Sequence, residues 1–452
     1  MDNVTMSFFF SLPQNSISIY IYTLSLFFIV KGRAMSGKHG GVTLNKNNKR
    51  KKLVYTESLL GTDQEKFSTS KSLYGDSAAR VCSNVWHVHD HVRQRAYDAL
   101  FRNMKDKTLL HMGCGIGLGS MIAARQLAKH VVAVDTSAIV EAARVVAAQN
   151  HIDNITFVRG HVRDAVLQQQ RPLPVQRFDV ILCEWMGAFL LNDPILPDVL
   201  YARDHLLIAP AGGAAAAATP RGVICPNRAS LYIAGVSDYY FRLDTEDFWS
   251  NVYGFRMEPM KALVRREVET CAIPAQNLVT NLALVHSVQL EDLPGLTPEE
   301  EALYERQAAE RVARQAAMQQ DSNNTSNPIE ETYVPPAVVQ KGFASDFALQ
   351  ATRNATIHYL TFYVDAAFTS PVDPGANFVI NVKPGGNNAW TEVSVGLLEP
   401  LPVAAGEIVR GSVSVRTPAE GTGKFTYIHV KAKTEGKVAQ VETQGEYVYQ
   451  SY

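Results

Sequence analysis

Neither sign of charge dominates this chain: 43 lysines and arginines stand against 44 aspartates and glutamates in 452 residues. No global field therefore draws it to nucleic acid or a membrane surface. Cysteine is scarce and unpatterned. Cys82, Cys114, Cys183, Cys225 and Cys271 form an odd set without metal or redox spacing, which fits free, packed thiols in a reducing compartment. Long apolar runs are missing too. The longest, Ile17 to Val30, falls short of the roughly 20 residues needed to span a bilayer. It is preceded by Asp2 alone among charged residues, so it lacks the basic flank of a signal peptide. We expect a mis-assigned start, with translation beginning at Met35, no membrane association and a cytoplasmic chain that also reaches the nucleus; a genuine anchor is the alternative.

What is present is organised in three parts. Residues 1–72 read as an extension, polar from Ser36 onward, with the basic run Lys46 to Lys52 at its centre. A solvated tail explains that run, and an RNA-touching patch is the other reading. Residues 73–222 alternate strands and helices: strand Thr108 to Met112, helix to Ala128, strand Val131 to Asp135, helix Ser137 to Gln149, then strands Ile155 to Arg159 and Phe178 to Cys183. Such alternation predicts a parallel, doubly wound sheet. After a Gly212-Gly213 and alanine-rich loop, residues 223–452 carry short strands that predict an antiparallel, barrel-like β domain. Two segments interrupt it. Asp238 to Gly254 is dense in aromatics and reads as helical. An insertion over about 295–340 opens at Thr297-Pro298-Glu299-Glu300, a helix start with cap, early proline and a glutamate three residues on. Its helix, to about Gln320, shows no continuous apolar stripe and is expected to lie in solvent.

Gly113-x-Gly115-x-Gly117 sits between a strand and a helix, and Asp135 ends the next strand. Glycines let backbone approach a nucleotide, and the acid accepts from ribose hydroxyls. The Trp86-His87-Val88-His89-Asp90-His91 cluster is read as a surface feature and not a metal site: on one helix His87 and His91 share a face while His89 points away.

Cys183-Glu184-Trp185-Met186-Gly187 through Asn192-Asp193 resembles the double-glutamate loop of the protein arginine methyltransferases. The resemblance runs from about Tyr74 to the C-terminus and includes Leu200 to Asp204, Asn251 to Phe255 and Leu278 to Asn281. It implies a Rossmann-like S-adenosylmethionine-dependent methyltransferase domain followed by a β-barrel domain with a helical dimerisation arm. By it, Glu184 is the first carboxylate of a guanidinium clamp, and Asp193, one methylene shorter, stands at the second. Arg93, in Asp90-His91-Val92-Arg93, takes the role of gripping the cofactor carboxylate, beside Gly113, Gly115, Gly117 and Asp135. Phe248, Trp249, Val252, Tyr253 and Phe255 fall on the dimerisation arm, which the resemblance puts at about 237–260.

The same resemblance marks departures. His111 stands where the family has an acid in the first strand, and Arg163 where an acid meets adenine, with Asp164 beside it. The opening tyrosine-phenylalanine motif survives as Tyr74-Gly75-Asp76-Ser77-Ala78, with the phenylalanine and the second tyrosine gone. Ala389, before Trp390, replaces the histidine of a Thr-His-Trp loop and can neither donate nor accept a side-chain hydrogen bond. Catalysis tolerates about 1 Å of misplacement before the rate falls steeply. We therefore expect weak or lost cofactor binding and an inactive or weakly active regulatory subunit, resembling the prozyme type of the trypanosome enzymes. It would pair with a catalytic paralogue acting on Arg/Gly-rich proteins. The alternatives are an active arginine methyltransferase and an RNA-binding protein working through the basic run, and a homodimer is the alternative assembly.

Overall fold

The computed structural model describes residues 77–450 apart from 103, 168–172, 209–221, 321–332, 370–376, 382–391, 419–424 and 437. The apolar run 17–30, the basic run 46–52, Tyr74 to Asp76, the alanine-rich loop, Ala389 and Trp390 lie outside the described residues.

The chain enters through α1 (Val81–His89) and α2 (His91–Leu100). Asp90 separates them and caps α2, its carboxylate accepting the Arg93 N–H at 3.0 Å. The His87–His91 stretch is thus two helices and not one, which corrects the single-helix expectation. Strand β1 (Thr108–Met112) is buried at every position, as a central parallel strand covered on both faces should be. It is followed by α3 (Leu118–Arg125), β2 (His130–Asp135), α4 (Ile139–Gln149), β3 (Ile155–Arg159), α5 (Val162–Leu167), β4 (Val180–Leu182), α6 (Leu196–Tyr201) and β5 (Val223–Cys225). Helix α3 stops at Arg125, short of the expected Ala128, where Leu127 turns to a φ of 69°. The five strands are parallel in the order β3-β2-β1-β4-β5. The order reverses between β1 and β4, so the crevice where doubly wound sheets hold ligands opens over the turn after β1.

Beyond β5 the sheets are antiparallel. Strand β6 (Arg228–Val236) leads to α7 (Tyr239–Thr245), α8 (Glu258–Val264), β7 (Val268–Cys271), β8 (Ala283–Gln289), α9 (Pro298–Gln320), α10 (Ala337–Lys341) and β9 (Phe343–Gln350). Then come β10 (Ala355–Thr369), β11 (Asn377–Asn381), β12 (Glu392–Val403), β13 (Ile408–Arg416), β14 (Phe425–Thr434) and β15 (Glu442–Gln450). One sheet runs β7-β12-β10-β6-β8 with β11 on β10; the other runs β15-β14-β13-β9. Strands β5, β7, β9, β12 and β15 were not foreseen from sequence. Alternation along β14 (Phe425 out, Thr426 in, Tyr427 out, Ile428 in) seats one face on the core.

One hydrophobic cluster joins the parallel sheet to the β domain, from Leu110 and Ile181 through Trp185 and Phe189 to Phe362, Leu401 and Val413. The loop after β4 is the bridge. Trp185 is fully buried and donates to the Pro226 carbonyl at 2.8 Å. The Phe189 ring lies 5.4 Å from Phe362 and 5.5 Å from Tyr449. That loop is thus held by packing, independently of any chemistry its carboxylates perform.

Candidate functional site

Gly113, Gly115 and Gly117 have φ of 65°, 53° and 78°, a left-handed region open to glycine at little cost. At Gly117 a Cβ would also meet Ala143 and Phe157 at 3.0 Å. Asp135 faces this turn. One of its oxygens accepts the Gly115 N–H at 2.7 Å and the other the Ser137 N–H at 2.8 Å.

Arg93, almost wholly buried, reaches from α2 to the end of β4, where its Nη2 lies 3.1 Å from Glu184 Oε2. Its Nη1 donates to His87 Nδ1 at 2.6 Å, which requires that nitrogen to be unprotonated. Burial, then the Arg93 charge, lowers the His87 pKa. The Tyr97 hydroxyl donates to Glu184 Oε1, and burial followed by the Glu184 charge pushes that phenol well up. Tyr97 is held edge-on by Phe368 at the end of β10, at 6.3 Å. Sequence reasoning missed Tyr97, and it read His87 as a surface residue without its bond to Arg93. Tyr97 was findable, since it stands four residues after Arg93 on one helix face.

Glu184 and Asp193 bracket a tight turn in which Gly187 and Leu190 exchange backbone hydrogen bonds. Asp193 Oδ1 accepts the Ile195 N–H at 2.9 Å, an Asx turn that starts the approach to α6. Burial raises its pKa to about 6, against the lowering effect of that amide. His111 is a buried core residue: its Nδ1 lies 2.8 Å from Ser120 Oγ, and burial drives its pKa down to about 3. A neutral imidazole therefore stands in the first strand where the resemblance expects a charge.

The α5 turn differs most from expectation, because α9 is docked on it. Tyr304 and Ala308 are buried, and Arg311 grips Asp164 through Nε and Nη2 at 2.7–2.9 Å. Arg163 lies under the Tyr201 ring at 4.1 Å and the Tyr304 ring at 5.4 Å, with Nε on Asp198 at 3.3 Å. Helix α9 is thus no solvated helix. Its contacts fall at Glu301, Tyr304, Ala308 and Arg311, one face in which a charge and a small residue take the place of an apolar stripe. The reciprocal capping bonds between Thr297 and Glu300 are present, at 2.8 and 3.3 Å.

The arm is α7, a short 3-10 turn (Asp247–Ser250), a hairpin tip and α8, not one helix. Its root is fixed by Glu246, which pairs with Arg242 at 3.2 Å and Arg265 at 2.9 Å. Phe248, Tyr253 and Phe255 are exposed, with Tyr253 at 96%; Trp249 and Val252 are half-buried. Among the described residues no group of histidines, cysteines and carboxylates is disposed to hold a metal, and no helix is long and apolar enough to cross a membrane.

Comparison with known proteins places these features. Residues 227–428 match the arginine methyltransferase oligomerization subdomain and residues 109–207 a methyltransferase domain. The chain is 30% identical over 365 residues to protein arginine N-methyltransferase 1 of Schizosaccharomyces pombe, covering 78% of this chain and 87% of that one. It is 26% identical over 384 residues to the Chlamydomonas reinhardtii protein of that name, covering 84% and 93%. Among solved structures it is similar to a chain of the Trypanosoma brucei PRMT1 enzyme-prozyme heterotetrameric complex with AdoHcy, with a TM-score of 0.66, 44% identity, and coverage of 82% of this chain and 100% of that one. Arabidopsis thaliana protein arginine methyltransferase 10 shares the fold at a TM-score of 0.59 and 17% identity, covering 82% of this chain and 99% of that one.

Proposed function

The chain belongs to the protein arginine N-methyltransferase family, and within it we propose that it serves as a regulatory subunit which activates a catalytically complete paralogue. Methyl transfer to a guanidine needs the acceptor nitrogen held in line and its positive charge drawn away from the attacking lone pair. Two convergent carboxylates meet that need. The observation that carries the proposal is Asp193: it spends one oxygen on its own loop at Ile195, and its burial disfavours the charge the clamp requires. Ala389 removes a further polar group.

The family uses S-adenosylmethionine, a sulfonium that supplies the methyl group when bound. The residues here fit it in part. The glycine turn and Asp135 suit a ribose, and Arg93 suits a carboxylate. The α5 turn does not fit, because Asp164 and Arg163 are engaged by α9 and its neighbours. Trp185 and Phe189 are core residues, so packing holds the loop whether or not its carboxylates act.

An oligomerization subdomain and the resemblance to a chain of an enzyme–prozyme complex support an oligomeric partner; the catalytic paralogue is our choice of it, with Arg/Gly-rich proteins as substrates of the pair. The competing reading, an active enzyme using Glu184 and Asp193, draws on the 24% exposure that the Glu184 side chain keeps. Methylation of an Arg/Gly-rich peptide by this chain alone, by the paralogue alone and by the mixture separates them. Stimulation only in the mixture supports the proposal; robust turnover by this chain alone, abolished by Glu184→Gln, sinks it.

A further inference from the structure

Helix α9 is secured at both ends. Before it, Arg203 Nη1 donates to the carbonyls of Leu290 and Leu293 at 2.6 and 2.8 Å. After it, the Tyr304 hydroxyl donates to Val334 O at 2.5 Å and Ala337 N–H to Glu300 Oε1 at 2.7 Å. Between these anchors it lies across the first turn of α5. That turn follows β3 at the carboxyl edge of the parallel sheet, and the N–H of Gly160, two residues before it, donates to the Asp135 carbonyl at 2.8 Å. It is therefore one hydrogen bond from the candidate ribose acid, on the edge where such sheets take nucleotides.

The acceptor count at Asp164 is decisive. A carboxylate offers about four lone-pair sites. Arg311 places Nε and Nη2 on Oδ1 at 2.9 and 2.7 Å, and Nε also on Oδ2 at 2.9 Å. The His161 N–H takes Oδ2 at 3.2 Å. The side chain keeps 2% of its surface, so water has no access to offer a replacement. Arg163 is closed in the same way: Nε on Asp198, Nη2 on the Pro197 carbonyl at 3.2 Å, and tyrosine rings over the guanidinium. An exocyclic amino group entering this end of the crevice finds no open acceptor.

We propose that α9 is an intramolecular latch that competes with an adenosyl cofactor for the α5 turn, Arg311 holding the acceptor that the adenine amino group would use. This rests on the methyltransferase reading of the glycine turn, and it assigns part of the expected weakness of cofactor binding to the insertion and not to decay of the pocket. Coupling of this kind is reciprocal: releasing the latch strengthens nucleotide binding, and nucleotide binding loosens the latch by the same factor.

The test is calorimetric titration of S-adenosylhomocysteine into the full-length parent, Arg311→Ala and Ala308→Lys, each in its natural oligomer. Ala308→Lys pries α9 off while leaving Asp164 and Arg163 untouched, and it serves if Arg311→Ala, by stranding a buried carboxylate, fails to fold. The expected result is affinity at least tenfold tighter than the parent's in the folded variant, with faster hydrogen exchange over α9 when the ligand is added to the parent. Equal or weaker binding by a folded variant, or no binding by parent and variants alike at 1 mM ligand (a Kd weaker than about 1 mM, or −4 kcal/mol), overturns the latch. The regulatory-subunit proposal is read separately, from the mixed methylation assay, so a tight-binding variant that still stimulates a paralogue supports both, and one that turns over alone overturns the regulatory reading only.

Discussion

Arg93 and Glu184 stand 3.1 Å apart, so the residue expected to hold a cofactor carboxylate and the one expected to hold a substrate guanidinium neutralise each other. Buried Arg93 also has Asp90 at 3.7 Å and His87 at 2.6 Å, and the Tyr97 hydroxyl donates to the other Glu184 oxygen. A charge network satisfied within itself can be kept for stability alone.

Replacing Glu184 by Gln therefore leaves Arg93 short of a counter-charge. Breaking a fully buried pair costs about 3–5 kcal/mol, and the exposure of Glu184 reduces the expectation to about 1–2 kcal/mol. We expect Glu184→Gln to lower the thermal midpoint while leaving stimulation of the paralogue intact. Loss of stimulation by a variant that remains folded would place Glu184 in the chemistry.

Asp193 predicts a pH effect of definite sign. Its folded pKa, about 6, lies above the ordinary 3.8. The carboxyl thus favours the folded state below pH 4, and that contribution is lost as pH rises through about 6. Asp193→Asn removes the penalty and keeps an acceptor for the Ile195 N–H. We expect it to stabilise the protein at pH 7, by on the order of 1 kcal/mol once solvent access is allowed for. The gain should shrink on acidification to pH 4; denaturant titrations at both pH values check it.

The parallel sheet and its glycine turn were legible because their signals are local: apolar strand runs and glycines at a fixed spacing after β1. The arm was legible as an aromatic-rich element but not as a broken one, since the turn at Tyr253-Gly254 lies inside what scans as a helix. The docking of α9 was not legible. Its contact face carries Glu301, Tyr304, Ala308 and Arg311, and only the tertiary positions of Asp164 and Arg163 turn that polar face into a buried one. Strands β5, β7, β9, β12 and β15 were missed, and for β7 and β12 the reason is related: they pair with each other across more than a hundred residues of sequence.

His111 predicts the opposite dependence on pH. Its folded pKa, about 3, lies below the ordinary 6.5, so the unfolded chain takes up a proton first as pH falls. Stability from this site is complete above pH 6.5 and declines toward pH 3, at up to about 1.4 kcal/mol per pH unit. Burial lowers His87, His130, His286 and His358 in the same direction. His111→Asn should flatten the curve of unfolding free energy between pH 4 and 6 by close to one proton. An unchanged slope would mean that the imidazole is solvated in the native state.

The arm tip supplies the last prediction. Val252 and Phe255 exchange backbone hydrogen bonds at 2.9 and 3.0 Å around Tyr253 and Gly254, whose φ are 51° and 90°. Two central residues with positive φ make a tight hairpin of the kind that favours Asn-Gly or Gly-Gly. A tyrosine in the left-handed region costs about 1–2 kcal/mol. Its ring recovers nothing within this chain, being 96% exposed. Strain held where a side chain does no internal work points to a role outside the subunit. Tyr253→Gly should therefore leave the stability of the isolated subunit within about 1 kcal/mol, while weakening assembly with the partner at least tenfold. Phe248→Ala with Trp249→Ala should weaken it further, because aromatic anchors dominate such contacts. Sedimentation equilibrium and the mixed methylation assay read both effects together. If Tyr253→Gly assembles and stimulates as the parent does, the arm tip is not the contact and the strain at Tyr253 needs another cause.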